Sequence, residues 1–210
     1  MSADERSDFE LLEAWRGGDQ RAGRELFARH FDAIYRFFRS KVEDAADDLT
    51  QQTFLGCVKG KERYRGDASF RTYLYTAARS KLYDHYARRG HPRDRSYVEV
   101  SAADLATSIG GKVLAREEQR LLLEALRRLP LDMQIAVELH YFEGLRGPQI
   151  ARVLDIPEGT VRSRLRLARK RLQEELGRLD GERVASTMTK IEDWAAQVRA
   201  LVDLEGAESS

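Results

Sequence analysis

The stretch 149–172, QIARVLDIPEGTVRSRLRLARKRL, decides how the rest of the chain is read. Ile150, Ala151 and Leu154 give a short helix one apolar face. Asp155, Ile156, Pro157, Glu158 and Gly159 break that helix, and Thr160 is placed to cap the next one. Residues 160–172 carry six basic side chains, Arg162, Arg164, Arg166, Arg169, Lys170 and Arg171, and no acidic one. Val161, Leu165, Ala168 and Leu172 recur between them at helical spacing. One face can pack on the first helix while another offers cations to a nucleic-acid backbone. A solvated helix of an ordinary bundle usually pairs such cations with acids one turn away. Here Glu174 and Glu175 come only after the basic run. The pattern points to a helix-turn-helix that enters a major groove.

Charge is segregated along the chain, which its total of +1 hides. Residues 1–20 are net −4, residues 79–95 net +4, residues 159–172 net +6 and residues 180–210 net −4. Two basic patches separated and flanked by acidic segments suggest two nucleic-acid contacts. The 210 residues allow one or two small domains, and only four prolines interrupt a composition rich in Leu, Ala, Arg and Glu. No run approaches the ~18 apolar residues of a membrane span. The acidic N-terminus lacks a secretory signal pattern, and the single cysteine, Cys57, suits a reducing cytoplasm.

The apolar periodicity predicts an all-α chain. Phe9, Leu12 and Trp15 begin a helix ending near Gly17 and Gly18. Leu26, Phe27, Phe31, Ile34, Tyr35 and Phe38 form the stripe of a second. A third runs over about 44–59 with Leu49, Phe54, Leu55 and Val58, and a fourth over about 69–89 with Ser69 as cap. The pattern dissolves over 90–111, which reads as a linker. A second helical unit starts near Leu114, includes Leu121, Leu122, Leu126 and Leu129, and is closed by Pro130. Met133, Ile135, Ala136, Val137, Leu139, Tyr141 and Phe142 form the next helix, ahead of Gly144. Beyond Leu179, Val184, Met188, Ile191, Trp194, Ala195, Val198, Leu201 and Val202 mark an amphipathic helix on an acidic background. It either folds back on its own chain or docks on a regulator or polymerase. Residues 206–210 are expected to be disordered.

In this order, two motif blocks resemble a bacterial RNA polymerase sigma factor of the compact extracytoplasmic-function type, over about 10–178. The first is ADDLTQQTF (46–54) with YRGDASFRTYLYTAARSKLYDHYARR (64–89). The second is LRRLPLDMQIAVELHYFEGLRGPQIARVLDIPEGTVRSRLRLARKRL (126–172). The resemblance implies a region 2-like domain at 10–90 that docks on core polymerase and reads and melts the −10 element. It further implies a linker at 91–113, a region 4-like helix-turn-helix domain at 114–178 that reads the −35 element, and an acidic C-terminal extension at 179–210.

Site residues carry over position by position. Asp48, Leu49, Gln51, Gln52 and Phe54 match the helix that meets the polymerase clamp, with Gln52 where the family usually has Glu. Tyr64, Asp67, Ser69 and Phe70 resemble the loop that captures an unstacked base, which needs hydrogen-bonding groups beside aromatic faces. Tyr73 stands where Trp is common and Ser80 where Asn is frequent. Arg71, Arg79, Lys81, Arg88 and Arg89 would neutralise phosphates of the opened duplex. On the recognition helix, Arg162, Ser163 and Arg166 share a face suited to base edges, and Arg164 is a further basic candidate. Arg169 and Lys170 suit phosphates, and Leu167 stands where Arg is often found.

His30, His85, His91 and His140 are scattered, and none joins Cys57 in a metal-ligand spacing. No phosphate loop, serine elbow or paired-carboxylate motif is present, so neither an enzyme nor a cofactor is expected. The expected partners are core RNA polymerase and promoter DNA, with an anti-sigma protein as a further candidate. The alternatives are a stand-alone helix-turn-helix regulator, which leaves 46–89 unexplained, and a sigma-like decoy that binds an anti-sigma protein.

Overall fold

The computed structural model describes residues 6–42, 44–61, 64, 66, 68–89, 125–126 and 128–180, with residues 179 and 180 by backbone alone. The expectations for the linker, for the helix near Leu114 and for the C-terminal extension lie outside these residues. Among them the regular structure is helical, without a strand. The chain divides into two compact units, Met1–Arg93 and Asp94–Ser210.

The first unit holds α1 (Asp8–Arg16), α2 (Gln20–Arg39), α3 (Ala46–Gly60) and α4 (Phe70–Arg88). Their starts are written in short polar side chains. Ser7 and Glu10 form a reciprocal capping box at α1. The Asp19 carboxylate accepts from the amides of Arg21 and Ala22, and the Ser69 hydroxyl accepts from Thr72 at α4. No side chain caps α3, but Asp47 and Asp48 stand in its first turn, where negative charge is favoured. Helix α1 packs on α2, α2 on α3, and α3 on α4, around Leu11, Leu26, Ile34, Phe37, Phe38, Leu49, Leu74, Tyr75 and Leu82. Gly23 is glycine because a β-carbon there would stand 2.5 Å from the Trp15 ring. Lys41 is buried: its ammonium donates to Phe37 O at 2.8 Å and lies 4.0 Å from the Phe37 ring centroid.

Several apolar side chains sit in a different phase from the one expected. Phe9 is 66 % exposed, and Leu11, two residues on and so across the helix, is buried instead. Phe31, Leu55 and Val58 are also exposed, and Phe37, Thr50, Thr53 and Cys57 fill the inner positions. The buried threonine hydroxyls donate to Ala46 O and Leu49 O, each at 2.7 Å, so they enter the core without an unsatisfied donor.

The second unit contains α5 (Leu131–Val137), a π-helical turn (Glu138–Phe142), α6 (Gly147–Leu154) and α7 (Glu158–Asp180). Pro130 opens α5, its carbonyl accepting from Met133 and Gln134. Helix α6 ends at Asp155, whose φ of 53° and ψ of 52° put it in the left-handed region usually given to glycine. Helix α7 begins three residues earlier than expected. Pro157 supplies the carbonyl that accepts from Thr160 and Val161, so Thr160 lies within the first turn and is not the cap. Ile150, Val153 and Leu154 of α6 share a core with Leu131, Ile135 and Leu139 and with Val161, Ala168, Leu172 and Leu176 of α7.

Candidate nucleic-acid interface

Burying Val161, Ala168 and Leu172 fixes the rotation of α7, and that rotation sorts its cations. Arg162, Ser163, Arg166, Arg169 and Lys170 are exposed. Arg162, Arg166 and Arg169 follow the i, i+4, i+7 row and so share one face. The same face borders a cleft of about 1000 Å³ lined by Tyr141, Val161 and Leu165 together with Arg162, Arg166, Arg169 and Lys170. The Ser163 hydroxyl donates back to Thr160 O at 3.0 Å, and Leu167 is 41 % exposed beside it.

Two details correct the reading of this helix. Arg164 points to the packed side, where its Nη1 lies 3.1 Å from Asp132 Oδ2 and only 20 % of the side chain is exposed. It ties α7 to α5 and is removed from the set that can meet DNA. The basic run also has an acidic partner after all: Glu158 Oε1 sits 3.2 Å from Arg162 Nη2, one turn away. Such exposed pairs are weak, so DNA can displace the carboxylate at small cost.

In the first unit the candidate −10 residues are split between surface and core. Tyr64 and Tyr73 form an aromatic pair with ring centroids 5.0 Å apart. Ser69 is exposed and serves as the α4 cap, its hydroxyl 2.9 Å from that of Thr72. Ser80, Arg88 and Arg89 are exposed and Arg71 is half-buried. Arg89 is ion-paired with Asp44, and the hydrogen bond from its guanidinium holds the Asp44 carboxyl below the usual carboxylate range. Burial, followed by the nearby Arg89 charge, depresses the His85 pKa. Phe70 and Arg79 are corrections. Phe70 is buried, its ring parallel to that of Phe27 at 6.3 Å, and serves packing. Arg79 is 8 % exposed, with its guanidinium 4.8 Å from the Tyr83 ring centroid, so it is not presented to phosphates. Asp67 lies outside the described residues.

Beneath the tyrosine pair lies Cys57, hydrogen-bonded to Tyr73. Desolvation pushes the thiol up to about 12, and burial raises the Tyr73 phenol as well. Gly60 permits this approach, since a β-carbon there would stand 2.6 Å from the Tyr73 hydroxyl oxygen.

The candidate polymerase-docking residues divide in the same way. Asp48 and Gln51 are exposed, and Gln52 donates to the Asp48 carboxylate at 2.6 Å. Leu49 and Phe54 are core residues, at 0 % and 7 % exposure, because they face α2 and α4. The apolar surface of α3 is made instead by Leu55 and Val58, in helical register with Asp48 and Gln51.

Comparison with known proteins fits this arrangement. Residues 26–91 match Sigma-70 region 2, and residues 119–172 match Sigma-70 region 4. The ECF RNA polymerase sigma factor SigM of Mycobacterium tuberculosis is 32 % identical over 179 residues, covering 84 % of this chain and 88 % of its own. The RNA polymerase sigma-H factor of Pseudomonas aeruginosa is 31 % identical, covering 80 % of this chain and 93 % of its own. The fold is shared with CnrH, solved in complex with the cytosolic domain of CnrY, at a TM-score of 0.61 and 24 % identity over 82 % of this chain and 99 % of that one. With both sigma regions present in order and a relative of this similarity along most of its length, the chain belongs to the extracytoplasmic-function family of RNA polymerase sigma factors, initiation factors that are not themselves enzymes.

Proposed function

We propose that this sigma factor binds core RNA polymerase and divides promoter recognition between its two units, acting in the cytoplasm beside the polymerase. The domain bounds follow the sequence reading: a docking and −10 unit at 10–90, a linker at 91–113, a −35 unit at 114–178 and an acidic extension at 179–210. The exposed row of α7 carries the reading. Arg162, Ser163 and Arg166 reach base edges of the −35 element, and Arg169 and Lys170 hold flanking phosphates. Three basic side chains on one face, with Glu158 and Glu174 meeting Arg162 and Lys170 only in exposed pairs, suit a groove lined by phosphates.

In the first unit, Tyr64 and Tyr73 supply the aromatic faces on which an unstacked base of the −10 element rests. Arg71, Ser80, Arg88 and Arg89 line the strand's path. Asp48, Gln51 and Gln52, with Leu55 and Val58, form the edge of α3 that meets polymerase, an apolar anchor beside polar groups. An anti-sigma protein would compete for surfaces of this kind. The decoy reading is disfavoured by the exposure of Arg162, Arg166 and Lys170. A stand-alone DNA-binding regulator has no use for the α3 edge.

Run-off transcription from genomic fragments by core polymerase reconstituted with the full chain is the direct test. Discrete transcripts that depend on added protein are expected. Their absence from every fragment, with core binding intact, would remove promoter direction as the function.

A further inference from the structure

The last turn of α1 reaches into the segment that joins α3 to α4. Arg16 is the residue that does so. Its Nη1 is held by Glu13 Oε1 at 2.7 Å, one turn back on the same helix. Its Nε and Nη2 donate to Lys61 O at 3.1 and 3.0 Å, and Nη2 donates as well to Tyr64 O. The guanidinium carbon lies 5.4 Å from the Tyr64 ring centroid.

The chemistry of this contact is specific. Lys61 is the residue at the C-terminal end of α3, where carbonyls lack helical partners and a cation is favoured. A guanidinium presents several donors in a fixed fork, so one side chain can satisfy this carbonyl and another three residues on. Tyr64 is thereby fixed from several sides: its amide donates to Gly60 O at 3.2 Å, its hydroxyl donates to Ala68 O, and its ring meets Tyr73. Arg16 itself lies before residue 26, where the match to Sigma-70 region 2 begins.

We infer that Arg16 is a positioning residue for single-strand capture, holding Tyr64 in the arrangement that receives an unstacked −10 base. The inference rests on the proposed −10 role of Tyr64 and Tyr73. Arg16 touches no base. Its work is to remove the freedom of the chain at Lys61 and Tyr64 before the strand arrives, so that ordering cost does not weaken capture.

The test uses full-length protein with core polymerase on fork templates derived from a promoter found by run-off transcription. The −10 non-template strand is single-stranded, and each position is varied through the four bases. Wild-type holoenzyme is expected to prefer one base at the captured position, and Arg16→Ala to lose about tenfold of that preference, the scale of one base stacked on an aromatic ring. Affinity for core polymerase and for a duplex −35 fragment should stay within twofold of wild type, and Cys57 should remain protected from thiol reagents. Arg16→Lys, which keeps the charge at the helix end but not the fork, should fail to restore the preference. Undiminished base preference in Arg16→Ala would overturn the inference. So would a loss that merely tracks weaker core binding and an exposed Cys57. If wild type shows no preference on the single strand, the −10 role of this loop fails first, and the inference with it.

Discussion

Asp132 and Arg164 face each other across α5 and α7, 3.1 Å apart, with only 9 % and 20 % of their side chains exposed. The pair takes Arg164 out of the basic row of α7 and uses it to lock that helix to α5. Removing one partner leaves the other charge largely desolvated, which costs more than the pair contributes. Asp132→Ala should therefore destabilise the second unit by about 3 kcal/mol, measured by urea unfolding. Arg164→Met, which keeps the volume, should be milder. It should leave the slope of log affinity against log salt for −35 DNA unchanged, whereas Lys170→Ala should reduce that slope by about one.

Arg162 stands on the opposite row and is 75 % exposed, paired with the exposed carboxylate of Glu158. If it reads a guanine with two hydrogen bonds, Arg162→Ala should weaken −35 binding by ~1–3 kcal/mol and relax selection at one base pair. Selection from a randomised −35 element would show this. An unchanged preferred sequence would take Arg162 out of the readout.

The helix-turn-helix was legible because its apolar and basic residues alternate in a clear helical phase. That phase also held the answer for Arg164, which lies three residues after Val161 and four before Ala168, both buried. The sequence suggests too late a start for α7 because Thr160 is a good capping residue, yet Pro157 stops the previous segment and its carbonyl already serves the first turn. Helix α3 was harder. Its inner face holds Thr50, Thr53 and Cys57, and its outer face Leu55 and Val58, so hydrophobicity alone selects the wrong side. What decides is the packing of α2 and α4 together with the donation of threonine hydroxyls to the turn before them, neither of which a local pattern contains. Arg16 was equally invisible, because its partners are backbone carbonyls some 45 residues away.

Asp155 ends α6 in a left-handed conformation that costs a side-chain-bearing residue free energy. Asp155→Gly should be neutral to stabilising by up to ~1 kcal/mol, and Asp155→Val destabilising by about 1–2 kcal/mol. Because this corner sets the angle between α6 and α7, the valine variant should also weaken −35 binding. Thermal unfolding and DNA titration of the two variants would separate the effects.

Cys57 is 1 % exposed, and its thiol, pushed up to about 12 by burial, holds almost no thiolate at pH 8. Alkylation in the native protein should therefore proceed only through opening of the first unit. The rate should rise steeply with sub-denaturing urea and approach that of a free thiol once the unit unfolds. Gly60→Ala should accelerate labelling, since its β-carbon displaces the Tyr73 hydroxyl that covers the sulfur. Fast labelling of wild type in buffer would contradict the packing described for α3 and α4.

Asp8 and His30 join the start of α1 to the middle of α2, His30 Nε2 lying 2.6 Å from Asp8 Oδ2. The hydrogen bond from His30 is the main reason the Asp8 carboxyl titrates below its ordinary 3.8, with Arg29 adding to it and partial burial opposing. A carboxyl depressed in the folded state binds protons more readily when unfolded. The stability it contributes is thus fully present above about pH 4 and is lost as pH falls through its folded value. The first unit should accordingly lose stability on acidification below pH 4. Asp8→Asn should lower stability at neutral pH and flatten that acid limb, because the group whose protonation differs between the two states is gone. Urea midpoints of wild type and Asp8→Asn between pH 2.5 and 7 would check this. Parallel curves across the whole range would show that Asp8 does not carry the linkage.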